Sequence, residues 1–352
     1  MVIETTKVID SRIKQVESSN IQFGKIYSDH MLVADFENGK WTKPNIIPYN
    51  KISISPSTTF IHYGQSIFEG LKAYKTQSGE ITIFRPEENC KRFKISAERM
   101  AMPPVPEEIF MNGMRQLISL DRDWVPNSEG CSLYIRPFMF ATDEFIGIKP
   151  AEKFRFMIIT SPAGAYYNHP IRIYVQNQYV RAFPGGVGFT KASGNYGACM
   201  LPTIEICKLG YDQILWTDAF KHKFVQEIGT MNVFFVFRNK VVTPDLDEAT
   251  ILAGITRASV IQLLKDNNIA IEERALSIDE IAQEYKNGNL LEVWGAGTAA
   301  VIAPISELFY NGLSMILPPV ENWVVATKIK KQLSDIRYGI TEDKYNWMYK
   351  VC

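Results

Sequence analysis

The run RAFPGGVGFTKASGNYG, from Arg181 to Gly197, places Lys191 between two glycine-containing stretches. Glycine permits backbone angles and close approaches that other residues resist, so this run can present an amine to a ligand held against the main chain. Burial would disfavour the charged ammonium and depress the pKa of the amine, which could then attack a carbonyl group. Lys191 is therefore a candidate Schiff-base lysine. The local string leaves a solvated loop lysine open as the alternative.

The size and charge of the chain favour a two-domain protein that acts on small molecules. Its 352 residues, 46% of them hydrophobic, exceed what one core usually serves. With 38 basic and 38 acidic residues the net charge is zero, so no electrostatic feature points to nucleic acid or to an anionic membrane as a partner. No apolar run approaches transmembrane length, and the amino-terminal stretch lacks the apolar core of a secretory signal.

The cysteines and histidines argue against disulfides and metals. The five cysteines are scattered and form no C-x-x-C pair, which favours reduced thiols and a cytoplasmic location. The four histidines form no H-E-x-x-H motif, and we expect no metal centre.

The first half of the chain predicts an α+β domain over residues 1–163. From Tyr27 to about Tyr74, apolar and polar residues alternate between turn signals, which predicts antiparallel strands. ITIF predicts a further strand, Pro86 and the acidic pair after it predict a helix start, and a second helix follows PVPEE. Two apolar strands, CSLYIRPFMFA and KFRFMIITSP, complete the domain, and the segment AGAYYNHP predicts a connector at residues 164–171.

The second half, residues 172–352, predicts a larger mixed α/β domain. The expected helices cover about Tyr196–Lys208, GITRASVIQLLKDNN, SIDEIAQEYKNG and a last helix with Val325, Ile329, Leu333 and Ile336 on one stripe. The expected strands include RIYVQ, DQILWTD, IAIEERAL, LLEVWGAG, AVIAPI and a pair around VQEIGTMNVFFVF.

Two short stretches of this second half are candidate ligand contacts. Glu227 lies in an apolar strand, where an unpaired charge is costly, so it needs a cationic partner; an internal salt bridge alone would meet that need. The turn from Gly254 to Arg257 feeds a helix, and the free backbone N–H groups there suit an anion. An ordinary helix start has the same pattern.

A third stretch, from Gly295 to Ala300, nominally matches the dinucleotide motif G-x-G-x-x-A. The residues after Thr298 continue as TAAVI into AP, which predicts a strand rather than a helix, and no βαβ unit with an acidic ribose ligand follows. The match therefore indicates a tight turn whose amides could contact a phosphate or a carboxylate.

Eight motifs in order carry a family resemblance: HYGQSIFEGLKAY, FRPEENCKRF, YIRP, VRAFPGGVGFTKASGNYG, GYDQILW, EIGTMNVFFVF, GITR and WGAGTAAVIAP. From about Phe23 to Tyr338, the chain resembles branched-chain amino-acid aminotransferases, fold-type IV enzymes that use pyridoxal 5′-phosphate. The resemblance implies the two-domain D-amino-acid aminotransferase-like fold and at least a homodimer. It also implies ping-pong transamination between leucine, isoleucine or valine and 2-oxoglutarate.

The resemblance assigns roles toward the cofactor. Lys191 resembles the lysine that bonds the cofactor covalently and moves the proton between substrate and cofactor carbons. Glu227 resembles the carboxylate that holds the protonated pyridine nitrogen, which would supply its cation. Tyr196 resembles the tyrosine that bonds the phenolic oxygen, and Arg181 an arginine at the border of the site. The residues that match the family's phosphate ligands are Arg92, Ile255, Thr256 and Thr298.

The resemblance also implies a substrate pocket. The residues that match its side-chain contacts are Phe23, Tyr63, Tyr166 and Thr230, and plain core packing is the alternative for each aromatic. The amides of Thr298 and Ala299 match the group that faces the substrate's α-carboxylate.

Tyr134 and Arg136 match the edge of that pocket. A pocket that accepts both leucine and glutamate needs a cation for the distal carboxylate of glutamate, because that carboxylate would otherwise be buried unpaired. Arg136 is our hypothesis for this cation, and a structural arginine that ties two strands together is the alternative.

Other functions stay open at this level. D-amino-acid transaminases and aminodeoxychorismate lyases share the fold, and fold alone does not separate them from the branched-chain enzymes. A dinucleotide-dependent oxidoreductase and a non-catalytic protein with a degenerate site are the remaining alternatives.

Overall fold

The computed structural model describes residues 2–15, 23–128, 130–164, 167 and 169–352. In that part of the chain no helix has both the length and the apolar composition needed to cross a membrane. The helices are α1 Thr59–Tyr63, α2 Pro86–Arg99, α3 Glu107–Leu120, α4 Gly194–Gly197, α5 Met200–Lys208, α6 Ile255–Asp266, α7 Ile278–Lys286 and α8 Val325–Arg337.

The strands alternate with these helices along the chain. In chain order they are β1 Glu4–Thr5, β2 His30–Glu37, β3 Lys40–Trp41, β4 Asn45–Pro48, β5 Ser66–Phe68, β6 Leu71–Lys75, β7 Ile81–Phe84, β8 Ser132–Ala141, β9 Phe154–Ala163, β10 Ile171–Val175, β11 Gln213–Thr217, β12 Val225–Ile228, β13 Asn232–Phe237, β14 Val241–Thr243, β15 Ile271–Glu273, β16 Leu290–Gly297, β17 Val301–Tyr310, β18 Leu313–Ile316 and β19 Met348–Lys350.

The chain forms two compact units. The first consists of Met1–Tyr166, Thr190–Gly194 and Asp335–Cys352, and the second of Tyr167–Phe189 and Asn195–Ser334. The sequence-based division at residues 1–163, 164–171 and 172–352 stays a prediction, but two stretches of its C-terminal domain group with the first unit. Residues 190–194 do so because backbone hydrogen bonds join them to β5, and residues 335–352 because β19 pairs with β7.

The first unit is a largely antiparallel sheet covered by α2 and α3. Its strand order is β1-β4-β2-β9-β8-β6-β7-β19, with β3 on β2 and β5 on β8. Phe93 of α2 lies 5.6 Å from Phe110 of α3 and 5.5 Å from Phe156 of β9, measured between ring centroids. A Cβ on Gly113 would come within 2.8 Å of Leu32 Cδ1, so glycine allows α3 to approach β2 closely.

The second unit is a mixed sheet with the order β12-β11-β10-β17-β16-β13-β14-β15, and β18 pairs with β17. Strand β10 runs parallel to both β11 and β17, whereas β13, β16 and β17 are antiparallel neighbours. All six residues of β13 are buried, and Phe234 stacks on Trp294 of β16 with ring centroids 4.4 Å apart. The continuous apolar run NVFFVF therefore belongs to a strand that is covered on both faces.

Several predicted elements are confirmed and others are wrong. The strand at ITIF, the helix that begins at Pro86 and the helix after the glycine turn at Gly254 lie where the sequence predicts them. The stretch Thr59–Tyr63, expected within antiparallel strands, is instead the short helix α1. Gly64 ends it in a left-handed conformation with φ of 63°, and the Thr59 hydroxyl donates to the Asp143 carbonyl at 2.9 Å. These tertiary contacts outweigh the strand propensity of this segment.

Asp218 organises the loop before β12 and gives a testable pH dependence. Its carboxylate accepts the amides of Phe220 and Lys221 on Oδ2 and those of Lys223 and Phe224 on Oδ1, at 2.7 to 3.2 Å. Burial favours the neutral acid, but these four donors outweigh it and hold the pKa of Asp218 below its ordinary 3.8.

Asp218→Asn is therefore expected to lower the free energy of unfolding by about 2 kcal/mol at neutral pH, because all four amides lose a charged acceptor. The folded pKa lies below the unfolded one, so this contribution is present above about pH 4 and is lost as the pH falls through the folded value. Urea denaturation of both proteins across this range measures it. A difference that stays constant at low pH would contradict this account.

Candidate active site

Lys191 lies on a short extended stretch that pairs with β5. Ile67 and Ala192 form an antiparallel bridge, and the Phe68 amide donates to the Lys191 carbonyl at 3.1 Å. The Lys191 amide in turn donates to the Ser96 hydroxyl of α2 at 3.0 Å. The amide and the carbonyl of Lys191 are thus both hydrogen-bonded, so its backbone is held in place without any contact from its side chain. That side chain is half-buried.

Two cationic side chains approach the ring of Phe68. Lys191 Nζ lies 4.8 Å from the ring centroid, and the guanidinium carbon of Arg136 lies 4.5 Å from it. Both are within the distance at which an aromatic face attracts a cation. Phe68 was missed by the sequence analysis, where its only signal was its place inside the motif HYGQSIFEGLKAY.

Phe68, Arg136 and Tyr134 form one contact cluster in the first unit. Arg136 Nη2 donates to the Tyr134 hydroxyl at 2.8 Å, and the Phe23 ring meets Tyr134 edge-on at 4.8 Å. Arg136 Nε is buried and has no hydrogen-bond partner within the part of the chain that the structure describes. A Cβ on Gly70 would clash with the Tyr134 hydroxyl, so this arrangement requires glycine there. The sequence-predicted residues Phe23, Tyr134, Arg136 and Lys191 are thus brought together through Phe68.

Tyr63, a predicted pocket residue, contacts a different stretch of the first unit. Tyr63 ends α1, is 43% exposed, and its hydroxyl donates to the Ile146 carbonyl. Tyr166 lies outside the described residues.

Arg92, predicted as a phosphate ligand, pairs with a carboxylate that the sequence analysis did not name. Its Nε donates to Glu69 Oε1 at 2.7 Å and its Nη2 to Glu69 Oε2 at 2.8 Å. Glu69 is fully buried, and Arg92 is 8% exposed. Such a bidentate pair fixes the plane of the guanidinium. Twenty-three residues separate the partners, so no local spacing signals the pair.

Glu227 is 4% exposed on β12, and its cation in this structure is Arg181. Arg181 Nη2 lies 3.0 Å from Glu227 Oε2 and donates to the Thr250 carbonyl at 2.6 Å. The Leu252 amide, at 2.8 Å, and Asn232 Nδ2, at 3.2 Å, donate to Oε1. The internal salt bridge that the sequence left open is therefore present, and two neutral donors complete the contacts of the carboxylate.

The start of α6 has the properties of an anion site. Gly254 is its N-cap, and no side chain in the described structure caps the helix. Ile255 and Thr256, the first two helical residues, are 8% and 3% exposed. Their N–H groups precede the first intrahelical bonds, so a buried start of this kind favours a negatively charged ligand. A Cβ on Gly254 would clash with the Asn232 side-chain oxygen, so glycine is needed here as well.

The segment from Gly295 to Ala300 is a hairpin turn between β16 and β17. The strands pair antiparallel, with Gly297 opposite Val301, and no helix follows. This geometry confirms that the G-x-G-x-x-A match is not a dinucleotide-binding βαβ unit. Thr298 and Ala299 are half-buried in the turn, and Val301 has a φ of 62°, which a β-branched residue adopts only under constraint.

The remaining candidates lie in the second unit. Thr230 is exposed in the two-residue turn between β12 and β13, where Gly229 has a φ of 54°. Tyr196 is half-buried in α4. The structure therefore gathers Glu227, Asn232 and the start of α6 in this unit through Asn232, which contacts both Glu227 and Gly254.

Sequence comparison identifies the class of protein. Residues 66–308 match the family described as Amino-transferase class IV. The chain therefore belongs to the class IV aminotransferases.

Two individual relatives indicate which group of class IV aminotransferases the chain belongs to. The chain is 43% identical over 355 residues to branched-chain-amino-acid transaminase 1 of Bacillus subtilis (strain 168), with 99% of each chain covered. It is 46% identical over 335 residues to a probable branched-chain-amino-acid aminotransferase of Staphylococcus aureus (strain N315), with 94% of this chain and 93% of the relative covered. Among the class IV enzymes, the chain is thus one of the branched-chain amino-acid aminotransferases.

A solved structure agrees with this placement. The T.th. branched-chain amino acid aminotransferase complexed with N-(5′-phosphopyridoxyl)-L-glutamate superposes with a TM-score of 0.70 at 26% identity, covering 91% of this chain and 98% of that one. Another structure of the same protein is a complex with 4-methylvaleric acid.

Proposed function

We propose that this protein transfers the amino group between leucine, isoleucine or valine and 2-oxoglutarate in a ping-pong cycle that uses pyridoxal 5′-phosphate. Branched-chain transamination follows from family membership along nearly the whole chain. The proposed use of both leucine and glutamate rests on one observation: the Lys191 amine and the Arg136 guanidinium both lie against the ring of Phe68. The two substrates require a reactive amine and an apolar surface for the leucine side chain. Glutamate also requires a cation for its second carboxylate.

Residues of each unit have the chemistry that the proposed cofactor requires. Glu227 is a buried carboxylate paired with Arg181 at 3.0 Å, and a protonated ring nitrogen requires a carboxylate partner. The start of α6 offers the amides of Ile255 and Thr256 to a phosphate, with Thr298 and Arg92 as further proposed phosphate ligands. Tyr196 would bond the phenolic oxygen.

The cofactor, when bound, supplies a carbonyl that takes up the amino group and an electron-withdrawing ring that stabilises a negative charge on the substrate's α-carbon. The residues of this chain hold and move protons around that chemistry. Lys191 Nζ would accept the proton that leaves the substrate's α-carbon and would deliver it to a carbon of the cofactor. Glu227 would keep the ring nitrogen protonated, so that the ring withdraws electrons as the α-proton leaves.

The proposed substrate contacts are those that the family resemblance implies. The Thr298 and Ala299 amides would face the α-carboxylate, with Thr230, Tyr63, Tyr166 and Phe23 as proposed side-chain contacts. In the T.th. enzyme a glutamate adduct and a branched aliphatic acid are both bound, each in its own complex. We propose the same dual recognition here, with Arg136 as the group that distinguishes the two side chains.

Arg136→Gln is expected to damage the glutamate half-reaction selectively. The distal carboxylate of glutamate would lose its cationic partner, a loss on the order of 2–5 kcal/mol of transition-state binding. The leucine half-reaction should stay within roughly tenfold of wild type, about 1.4 kcal/mol, because leucine presents no charge there. Single-turnover measurements of each half-reaction give the two values.

Arg155→Gln is the matched control for this experiment. Arg155 holds Asp35 by two bonds of 2.7 and 2.9 Å across β9 and β2, which is a strand-tying role. We expect this variant to change both half-reactions alike or neither. An equal loss of both half-reactions in Arg136→Gln would return Arg136 to a structural role.

The amino-donor profile tests the proposed function directly. With 2-oxoglutarate as acceptor, the wild-type protein should use L-leucine, L-isoleucine and L-valine, and each should shift the visible absorbance of the bound cofactor. A profile led by D-alanine would favour a D-amino-acid transaminase instead, and release of a lyase product without amino transfer would favour an aminodeoxychorismate lyase.

We also propose that the protein is a cytoplasmic homodimer. An apolar patch surrounds α1 in the first unit, and its members are Ile54, Ile61, Phe145, Ile146 and Ile148, between 42% and 91% exposed. A second copy of the chain would remove this patch from water. The cysteines are all unpaired, as expected in a reducing compartment. Sedimentation velocity distinguishes one copy from two.

A further inference from the structure

The fully buried carboxylate of Glu69 has more partners than a simple ion pair needs. Besides the two bonds from Arg92, its Oε2 accepts Asn89 Nδ2 at 2.7 Å and the Gly70 amide at 3.1 Å. Its own amide donates to the Pro137 carbonyl at 2.7 Å, which fixes the backbone from which the side chain projects. Both oxygens of a 0% exposed carboxylate are therefore satisfied in one geometry.

One face of α2 supplies these contacts and also reaches the Lys191 stretch. Asn89, Arg92 and Ser96 are spaced three and four residues apart, which places them on the same side of a helix. The first two bond Glu69, and the Ser96 hydroxyl accepts the Lys191 amide at 3.0 Å. One helix face thus links the predicted phosphate arginine, its buried carboxylate partner and the predicted reactive lysine.

The groups around Glu69 favour its ionised form. Burial alone would raise the pKa of Glu69, but the Arg92 guanidinium, the positive charge of Lys191 and the Asn89 amide outweigh it and hold that pKa below its ordinary 4.5. Glu69 therefore stays a charged partner for Arg92 and acts on it by direct bonds.

We propose that Glu69 is a positioning residue that aims the Arg92 guanidinium at the cofactor's phosphate. This inference rests on the proposed function, because it presumes that Arg92 serves the cofactor. Two of the guanidinium's nitrogens are committed to Glu69, which sets the direction of the remaining N–H groups.

Two substitutions separate the geometric part of this role from the electrostatic part. Glu69→Gln keeps the side-chain length and removes the charge, whereas Glu69→Asp keeps the charge and shortens the reach. Asp35→Asn is the matched control, because Asp35 forms a bidentate arginine pair with Arg155 in the same unit and lies outside the proposed machinery.

The binding experiment uses full-length protein stripped of cofactor, titrated with pyridoxal 5′-phosphate and, in parallel, with pyridoxal, which lacks the phosphate. Wild type should prefer the phosphorylated form. In Glu69→Gln the dissociation constant for pyridoxal 5′-phosphate should rise at least about tenfold, the size expected when charged hydrogen bonds are lost, while that for pyridoxal rises less than about threefold. Glu69→Asp should show the same phosphate-dependent loss in a milder form.

The outcomes are distinguishable from failure of the proposed function. If wild type binds neither ligand and transfers no amino group from leucine, the proposed function is wrong. If wild type behaves as proposed but Glu69→Gln loses both ligands equally, or matches Asp35→Asn, the role of Glu69 is overturned. Should Glu69→Gln fail to fold, Glu69→Asp decides alone: equal loss of both ligands in that variant also overturns the proposal.

Discussion

Replacing Lys191 with alanine is expected to lower kcat by roughly 10⁴-fold or more, because one amine serves both as the covalent attachment point and as the proton carrier. The fold should survive, since the contacts of the Lys191 stretch with Phe68 and Ser96 use backbone groups of Lys191 that alanine retains. The variant should still bind pyridoxal 5′-phosphate without a covalent bond. Turnover of leucine with 2-oxoglutarate, together with cofactor content, measures both effects.

Lys72 provides the control for this experiment. It is a buried lysine of the first unit, 6% exposed, and burial followed by the positive charge of Arg337 lowers its pKa to about 7. Its amine is thus chemically competent in principle, although the account gives it no part in the reaction. Lys72→Met should keep turnover within roughly tenfold of wild type. Activity in Lys191→Ala, or its loss in Lys72→Met alone, would contradict the assignment.

Glu227→Gln is expected to slow the leucine half-reaction by about 10²–10³-fold while cofactor binding weakens far less. The amide keeps the shape and one acceptor for Asn232 and Leu252, but it removes the charge that would keep a ring nitrogen protonated. That interaction strengthens as electrons flow into the ring, so its loss falls on the rate rather than on binding. Stopped-flow single-turnover rates close to wild type would rule out this role.

Loss of the Arg181 salt bridge is a second effect of the same substitution, and a control must separate it. Glu292 is a buried carboxylate of the same unit, 4% exposed, which accepts the amides of Val324, Val325 and Ala326 at the start of α8. Glu292→Gln should lower stability without a specific change in the half-reaction rate. Equal slowing in both variants would assign the effect of Glu227→Gln to lost stability.

The sequence predicts elements well where local pattern and tertiary context agree. The strand pair predicted around VQEIGTMNVFFVF is present as β12 and β13, and the strand after Thr298 excludes a dinucleotide unit as expected. The prediction is wrong at Thr59–Tyr63, whose β-branched and aromatic residues suit a strand but form α1. A left-handed glycine and a threonine bond to a distant carbonyl decide that segment, and neither is visible in local periodicity.

The partners of the buried charged residues are the part of the candidate site that could not be predicted from the sequence. The apolar setting of Glu227 predicts that it needs a cation, but it does not name Arg181, forty-six residues earlier, as the residue that lies there. The ion pair of Glu69 with Arg92 could not be predicted from the sequence either. Both pairs join residues that are distant in sequence, and only the fold brings them together.

Borohydride reduction of the cofactor-loaded protein followed by peptide mass spectrometry tests the central claim, that Lys191 is the amine of a pyridoxal 5′-phosphate aminotransferase. The account predicts that the pyridoxyl group appears on the peptide that contains Lys191 and that prior addition of L-leucine prevents this labelling. Labelling of Lys72 or another lysine, or labelling of Lys191 that leucine leaves unchanged, would contradict it.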